Sequence, residues 1–151
     1  MSRSPTTTRW ADDAGERLAS AGYRRGGARQ AVVELLARQK CALSVLEIED
    51  ALRDDGRQVG RASIYRVIEE LEELGLVTRL DLGTGTARFE PADPAGVRHH
   101  HHLLCDECGD LVPFHDAELE RVIGRVAKRL PYAVSGHDVT LHGSCTSCSG
   151  A

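Results

Sequence analysis

The stretch Arg61–Pro91, RASIYRVIEELEELGLVTRLDLGTGTARFEP, decides the fold. Ile64, Val67, Ile68, Leu71 and Leu74 recur at helical spacing, which predicts one amphipathic helix buried along that stripe. Gly75 supplies the left-handed stop that a side chain would resist. Two strand-like runs follow at once, Leu76 to Leu80 and Ala87 to Glu90, joined by a Gly- and Thr-rich turn. A helix that leads straight into a hairpin reads as the recognition helix and wing of a winged helix.

Upstream, Ser44 and Glu47 have capping-box spacing, in which each side chain satisfies the other residue's orphan amide. They open a third helix through Ile48, Ala51 and Leu52 that stops near Gly56. Val32, Val33, Leu35 and Leu36 mark a second helix behind a break at Gly26 and Gly27. A short first helix precedes that break, and residues 1–15 read as a loose polar leader.

Downstream, PADPAGVR carries two prolines and a glycine and can continue neither helix nor strand, so it reads as a hinge. Beyond it, HHHHLLC and DLVPFH read as strands and DAELERVIGRVAKRL as an amphipathic helix begun by Asp116. YAVSGHDVTLHG reads as a strand or hairpin. The expected class is α+β: a winged helix-turn-helix domain at 1–82, the end of the wing and hinge at 83–98, and a small α/β domain at 99–151.

The chain has 151 residues, 41% hydrophobic and 28% charged, which places it among folded globular proteins rather than disordered ones. Its net charge of -4 carries no global sign of nucleic-acid binding. The local pattern differs: Arg17, Arg24, Arg25 and Arg29 occur with no acidic residue between them. The start, MSRSPTTTRWADD, has no secretory hydrophobic segment, and no apolar run is long enough to span a membrane, so a cytoplasmic location is expected. In that reducing compartment cysteines serve as metal ligands more readily than as disulfides.

Cys105 and Cys108 form one CxxC knuckle and Cys145 and Cys148 another. Two matched pairs complete the tetrahedral thiolate set that structural Zn2+ prefers. His99, His100, His101 and His102 would alternate faces on a strand, so one segment could serve two ions. Glu90, Glu120, His137 and His142 are dispersed, and each alone reads as a solvated side chain. At the head of the recognition helix, Arg61, Ser63, Tyr65 and Arg66 are the side chains placed to meet the major groove.

With HHHHLLCDECG, VTLHGSCTSC and GRASIYRVIEELEELGLVTR in this order, the chain strongly resembles the ferric uptake regulator family over roughly Leu18 to Cys148. The resemblance implies a metal-loaded homodimer joined through its C-terminal domains. It would bind a palindromic operator on double-stranded DNA and repress metal-uptake or homeostasis genes. Cys105, Cys108, Cys145 and Cys148 match the family's structural zinc site. Glu90, His100 and His102 fall on the regulatory site, and His99, His101, Glu120 and His137 on an additional one. Arg24 or Arg25 matches the basic residue placed in or near the minor groove.

In one departure, Cys41 stands where the family commonly has a further regulatory ligand, often His; as a thiolate it would favour Zn2+ over Fe2+ as the second metal. Equally, Cys41 could be a small buried apolar residue. Glu90 stands near the position where peroxide sensors typically carry aspartate. An enzyme is not expected, nor a membrane or small-molecule partner. A zinc hydrolase would need a general base beside an open metal position, and a thiol redox protein would need cysteines not already committed to zinc.

Overall fold

The computed structural model describes residues 5–93, 96 and 99–150. Residues 1–4 of the expected leader, hinge residues 94, 95, 97 and 98, and residue 151 lie outside the described residues. The chain divides into two compact units, Met1–Pro94 and Ala95–Ala151.

The first unit holds α1 (Pro5–Ser20), α2 (Gly27–Arg38), β1 (Leu43–Ser44), α3 (Val45–Asp54), α4 (Arg61–Glu73), β2 (Val77–Leu80) and β3 (Arg88–Pro91). Its strands form an antiparallel sheet in the order β1-β3-β2, with Leu43 opposite Phe89 and Arg79 opposite Phe89. The capping box forms as expected: Ser44 Oγ accepts from the Glu47 amide at 3.2 Å and Glu47 Oε2 from the Ser44 amide at 2.7 Å. Gly75 has φ +63, and the Leu76 amide returns to Leu71 O at 2.8 Å, so α4 closes and β2 begins within a few residues. Val32, Leu35, Leu36, Ile48, Leu52, Ile64, Ile68 and Leu71 are buried together, a core made of the predicted helix stripes.

The expectation of a loose leader over residues 1–15 is corrected, since Pro5–Ser20 is one helix. Trp10, Ala14 and Leu18 lie one turn apart on its inner face. Ala14 and Leu18 are buried in the core, and Trp10 Nε1 donates to Leu76 O at 3.0 Å. Arg17 also donates to Leu74 O. Small residues and the intervening Asp12 and Asp13 thin the apolar pattern, so the helix depends on tertiary contacts that local sequence does not reveal.

The second unit holds β4 (His101–Cys105), β5 (Leu111–Phe114), α5 (Ala117–Ala127), β6 (Thr140–Gly143) and the short α6 (Thr146–Ser149). The sheet order is β5-β4-β6, with β5 antiparallel and β6 parallel to β4. The parallel pairing requires the long crossover that α5 supplies. Asp116 caps α5 by accepting from the Leu119 amide at 2.8 Å.

Among the described residues the buried interior of this unit is small: Leu104, Cys105 and Leu111, with His101 and His102. Leu103 pairs across the sheet with Val112 and Leu141, and these three side chains are 43%, 45% and 50% exposed. Helix α5 buries none of its residues, although Val122 and Val126 continue an apolar stripe. Among the described residues no helix is long and apolar enough to cross a membrane. The fold is α+β: a winged helix-turn-helix followed by a small α/β domain.

Candidate metal centres and nucleic-acid interface

The two CxxC knuckles meet. One Sγ from each of Cys105, Cys108, Cys145 and Cys148 lies within 4.8 Å of the others, with Cys108 and Cys145 3.8 Å apart. Cys105 ends β4, and Gly109, at φ +76, turns the chain so that its amide returns to Cys105 O at 2.9 Å. Cys145 stands at the head of α6, and its amide donates to Cys105 Sγ at 3.3 Å. Flanking pairs join the knuckles: His142 Nδ1 with Asp106 Oδ1 at 2.9 Å, and Ser144 Oγ donating to Glu107 Oε1 at 2.5 Å.

Backbone donors at Cys108, then Cys145, hold the Cys105 thiol down to about 6. Hydrogen bonding to Cys145 and then Cys108 pushes Cys148 up to about 12. The Asp110 amide pulls Cys108 down, but the neighbouring Cys105 and Cys145 thiols and desolvation leave it raised. Four convergent soft donors, one already favoured as thiolate, suit a tetrahedral cation.

A second set gathers residues far apart in sequence. His99 precedes β4, His101 lies on it, Glu120 is in the first turn of α5, and His137 is in the crossover toward β6. Their ligand atoms lie within 4.8 Å of one another. Glu120 Oε1 is 2.5 Å from His101 Nε2, Glu120 Oε2 is 3.2 Å from His137 Nε2, and the His99 and His137 Nε2 atoms are 3.2 Å apart. Hydrogen bonding from His101, and secondarily from His137, holds the Glu120 carboxyl below its ordinary value against desolvation. His101 is fully buried, and its Nδ1 has no hydrogen-bond partner among the described residues. Three imidazoles and a carboxylate converging at one point can hold a divalent cation.

Two smaller pairs stand in separate units. In the first unit, a Glu90 carboxylate oxygen on β3 lies within 4.8 Å of Cys41 Sγ, because β1, just after Cys41, pairs with β3. In the second, ring nitrogens of His100 and His102 lie within 4.8 Å, their rings 4.8 Å apart and edge-on. The alternation expected along the histidine run is therefore present, with His99 and His101 meeting each other as well.

At the head of α4, Ile64, Val67 and Ile68 are buried, so Tyr65, 52% exposed, and Arg66 face outward. Ser63 is half-buried, and Arg61 donates from Nε and Nη2 to Glu49 at 2.9 and 2.7 Å. Arg38, Arg53, Arg57 and Arg88 are likewise committed to carboxylates. Arg24, Arg25 and Arg66 are exposed and make no side-chain hydrogen bond or ion pair among the described residues. These three cations remain available for an outside anion.

Sequence reading passed over one feature of this surface. A 480 Å³ cleft lined by Gly27, Ala28, Gln30, Arg57, Gly60 and Ser63 lies where α2 and α4 both begin. Each helix starts at a glycine, Gly26 and Gly60, with no side chain capping its first amides. Glycines at both helix starts were the available signal.

The sequence model of the ferric uptake regulator family matches residues 20–142. This chain belongs to the ferric uptake regulator family. A ferric uptake regulation protein of Bordetella parapertussis is 35% identical over 106 residues, 70% of this chain and 74% of that protein. The solved Vibrio cholerae ferric uptake regulator is 30% identical, with TM-score 0.73 over 87% of this chain and 98% of that one. The Helicobacter pylori regulator is 26% identical, with TM-score 0.79 over 99% of this chain and 97% of that one, and is described as having three functional metal binding sites. This family member is a metal-responsive, DNA-binding transcriptional repressor and not an enzyme. Hydrolase and thiol redox readings receive no support.

Proposed function

We propose that this regulator binds a palindromic operator as a metal-loaded homodimer, in the cytoplasm, and represses metal-uptake or homeostasis genes. One observation carries the reading: the unit that holds two complete ligand sets also leaves an apolar sheet face and an apolar helix uncovered. Such a face on so small a core calls for a partner, and a second copy supplies the same face in return. Leu103, Val112, Leu141, Val122 and Val126 form that interface in our reading.

Cys105, Cys108, Cys145 and Cys148 hold structural Zn2+, whose chemistry here is to clamp both ends of the second unit. His99, His101, Glu120 and His137 form the additional site; one relative is described as having three functional metal binding sites. From the family's pattern, we infer that one regulatory Zn2+ or Fe2+ takes Glu90, His100 and His102 as ligands, with Cys41 as the fourth. Ligands drawn from two units restrict the freedom between them, so the ion selects DNA-competent arrangements by its higher affinity for them. Tyr65 and Arg66 meet base edges and phosphates in the major groove, with Ser63 and Arg61 beside them; Arg24 and Arg25 reach the backbone or a narrow minor groove. The uncapped amides of α2 and α4 leave donors for phosphate.

The test is operator binding by fluorescence anisotropy, using duplexes selected by the protein from a random pool, with each divalent metal in turn. The expected result is binding by a dimer that chelation abolishes, and an Arg25→Ala variant whose log K falls less steeply with log salt, by about one unit. Equal binding after stripping exchangeable metal, or an unchanged salt slope, would refute the corresponding part.

A further inference from the structure

Arg29, in the first turn of α2, does not face outward with its neighbours. Its side chain is 20% exposed, and that of Glu70, on α4, is 11% exposed. The two form a fork: Arg29 Nε donates to Glu70 Oε2 at 2.6 Å and Nη2 to Oε1 at 2.7 Å. The remaining arm, Nη1, donates to the carbonyl oxygen of Arg24. The guanidinium also lies 5.3 Å from the Tyr23 ring, whose hydroxyl donates to Glu73 at 3.1 Å on the same helix.

One guanidinium thus holds α4 and the loop before α2 at once. The Arg24 carbonyl belongs to the planar peptide joining Arg24 to Arg25, so holding it fixes how both side chains leave the backbone. Glu70 belongs to the helix whose head carries Tyr65 and Arg66. A guanidinium is rigid and planar, so two arms on α4 and one on the loop tie the loop's orientation to that helix. Without it the Tyr23 hydroxyl would still reach α4, but the Arg24 carbonyl would lose its link to that helix.

We propose that Arg29 and Glu70 are a positioning pair that sets the Arg24–Arg25 loop in register with Tyr65 and Arg66, so that both groups of DNA contacts form together. This rests on the reading that the loop and the head of α4 touch DNA. Arg29 itself contacts no DNA in this scheme; it acts through Arg24 and Arg25. Lysine cannot replace it, because a point-like ammonium cannot make two parallel bonds to Glu70 and a third to the loop.

The experiment is a double-mutant cycle on the metal-loaded full chain, with a duplex selected by the wild type as probe. Arg29→Lys and Glu70→Gln are measured in the wild-type background and in Arg24→Ala/Arg25→Ala, across a salt series. In the wild-type background, each is expected to weaken binding on the order of tenfold and to flatten the salt slope by about one unit for each phosphate no longer neutralised. In the background lacking Arg24 and Arg25, each should have little further effect. A pair that merely stabilises the fold would lower the melting temperature and give losses that add in full, and that result overturns the proposal. Unchanged binding in both single variants overturns it as well. Should Arg29→Lys fail to fold, Glu70→Gln, which keeps the shape and an acceptor for Arg29, decides on the same criterion. If wild type binds no duplex, the functional reading fails; if wild type binds and Arg24→Ala/Arg25→Ala is weaker while the pair's effects add, only the positioning role fails.

Discussion

Removing the proposed structural ion should unfold one unit and spare the other. Among the described residues of the second unit, Leu104 and Leu111 are the buried aliphatic ones, and full burial of each contributes about 1.5–3 kcal/mol, so together about 3–6 kcal/mol. A four-cysteine zinc site contributes about 10–16 kcal/mol to folding, more than that apolar interior. The first unit has a core of its own, which runs from Ala14 to Phe89 through its own helices and strands. Cys148→Ser removes one ligand of four, which scales to about 3 kcal/mol and a zinc affinity about 100-fold weaker. The chain carries its own reporter: its single tryptophan, Trp10, sits in the first unit and bonds to Leu76 O. Thermal melts should be followed by Trp10 emission and by limited proteolysis of residues 99–150, with and without a strong chelator. Chelation or Cys148→Ser should open the second unit to protease at temperatures where Trp10 emission stays native. Loss of both signals in one transition, or no change in protease resistance, would refute the reasoning.

Leu103→Glu places a charge at the centre of the proposed dimer face, and symmetry puts it there twice, so sedimentation should show dimerisation about 100-fold weaker or worse with zinc content unchanged. An undisturbed dimer would move the interface elsewhere. Cys41→Ser should raise the metal concentration for half-maximal operator binding on the order of 100-fold if Cys41 is a ligand; an unchanged requirement would leave it a small half-buried residue. For the metal-free thiols the direction of pH dependence follows from their shifts. Cys105, lowered to about 6, favours the folded state fully above its ordinary value of 9.0 and loses that contribution as pH falls through about 6. Cys148, raised to about 12, contributes fully below 9.0 and loses it as pH rises toward 12. At pH 7, zinc binding should therefore release at least the protons of Cys108 and Cys148, read by calorimetry in buffers of different ionisation enthalpy. Release of no protons would contradict the assigned protonation.

Much of this was legible in the chain. Periodicity, the capping box at Ser44 and Glu47, the stop at Gly75 and the two CxxC pairs are local signals, because helix faces, caps and knuckles are set by residues a few positions apart. Alternation along His99–His102 is local too, since it is set by residues one and two positions apart. In the sequence, resemblance to a family, not spacing, links Glu120 and His137 to those histidines.

Tertiary structure decided what depends on spatial neighbours. Helix α1 holds because Trp10, Ala14 and Leu18 find a core to rest on, and β1 exists because Leu43 and Ser44 find β3 to pair with. Only the crossover through α5 brings Glu120 and His137 to His101, and only placement of the carboxylates separates Arg24, Arg25 and Arg66 from arginines already paired. A sequence reports which side chains carry charge or ligand atoms; whether a charge is already neutralised, or a ligand has company, is set by residues far away along the chain.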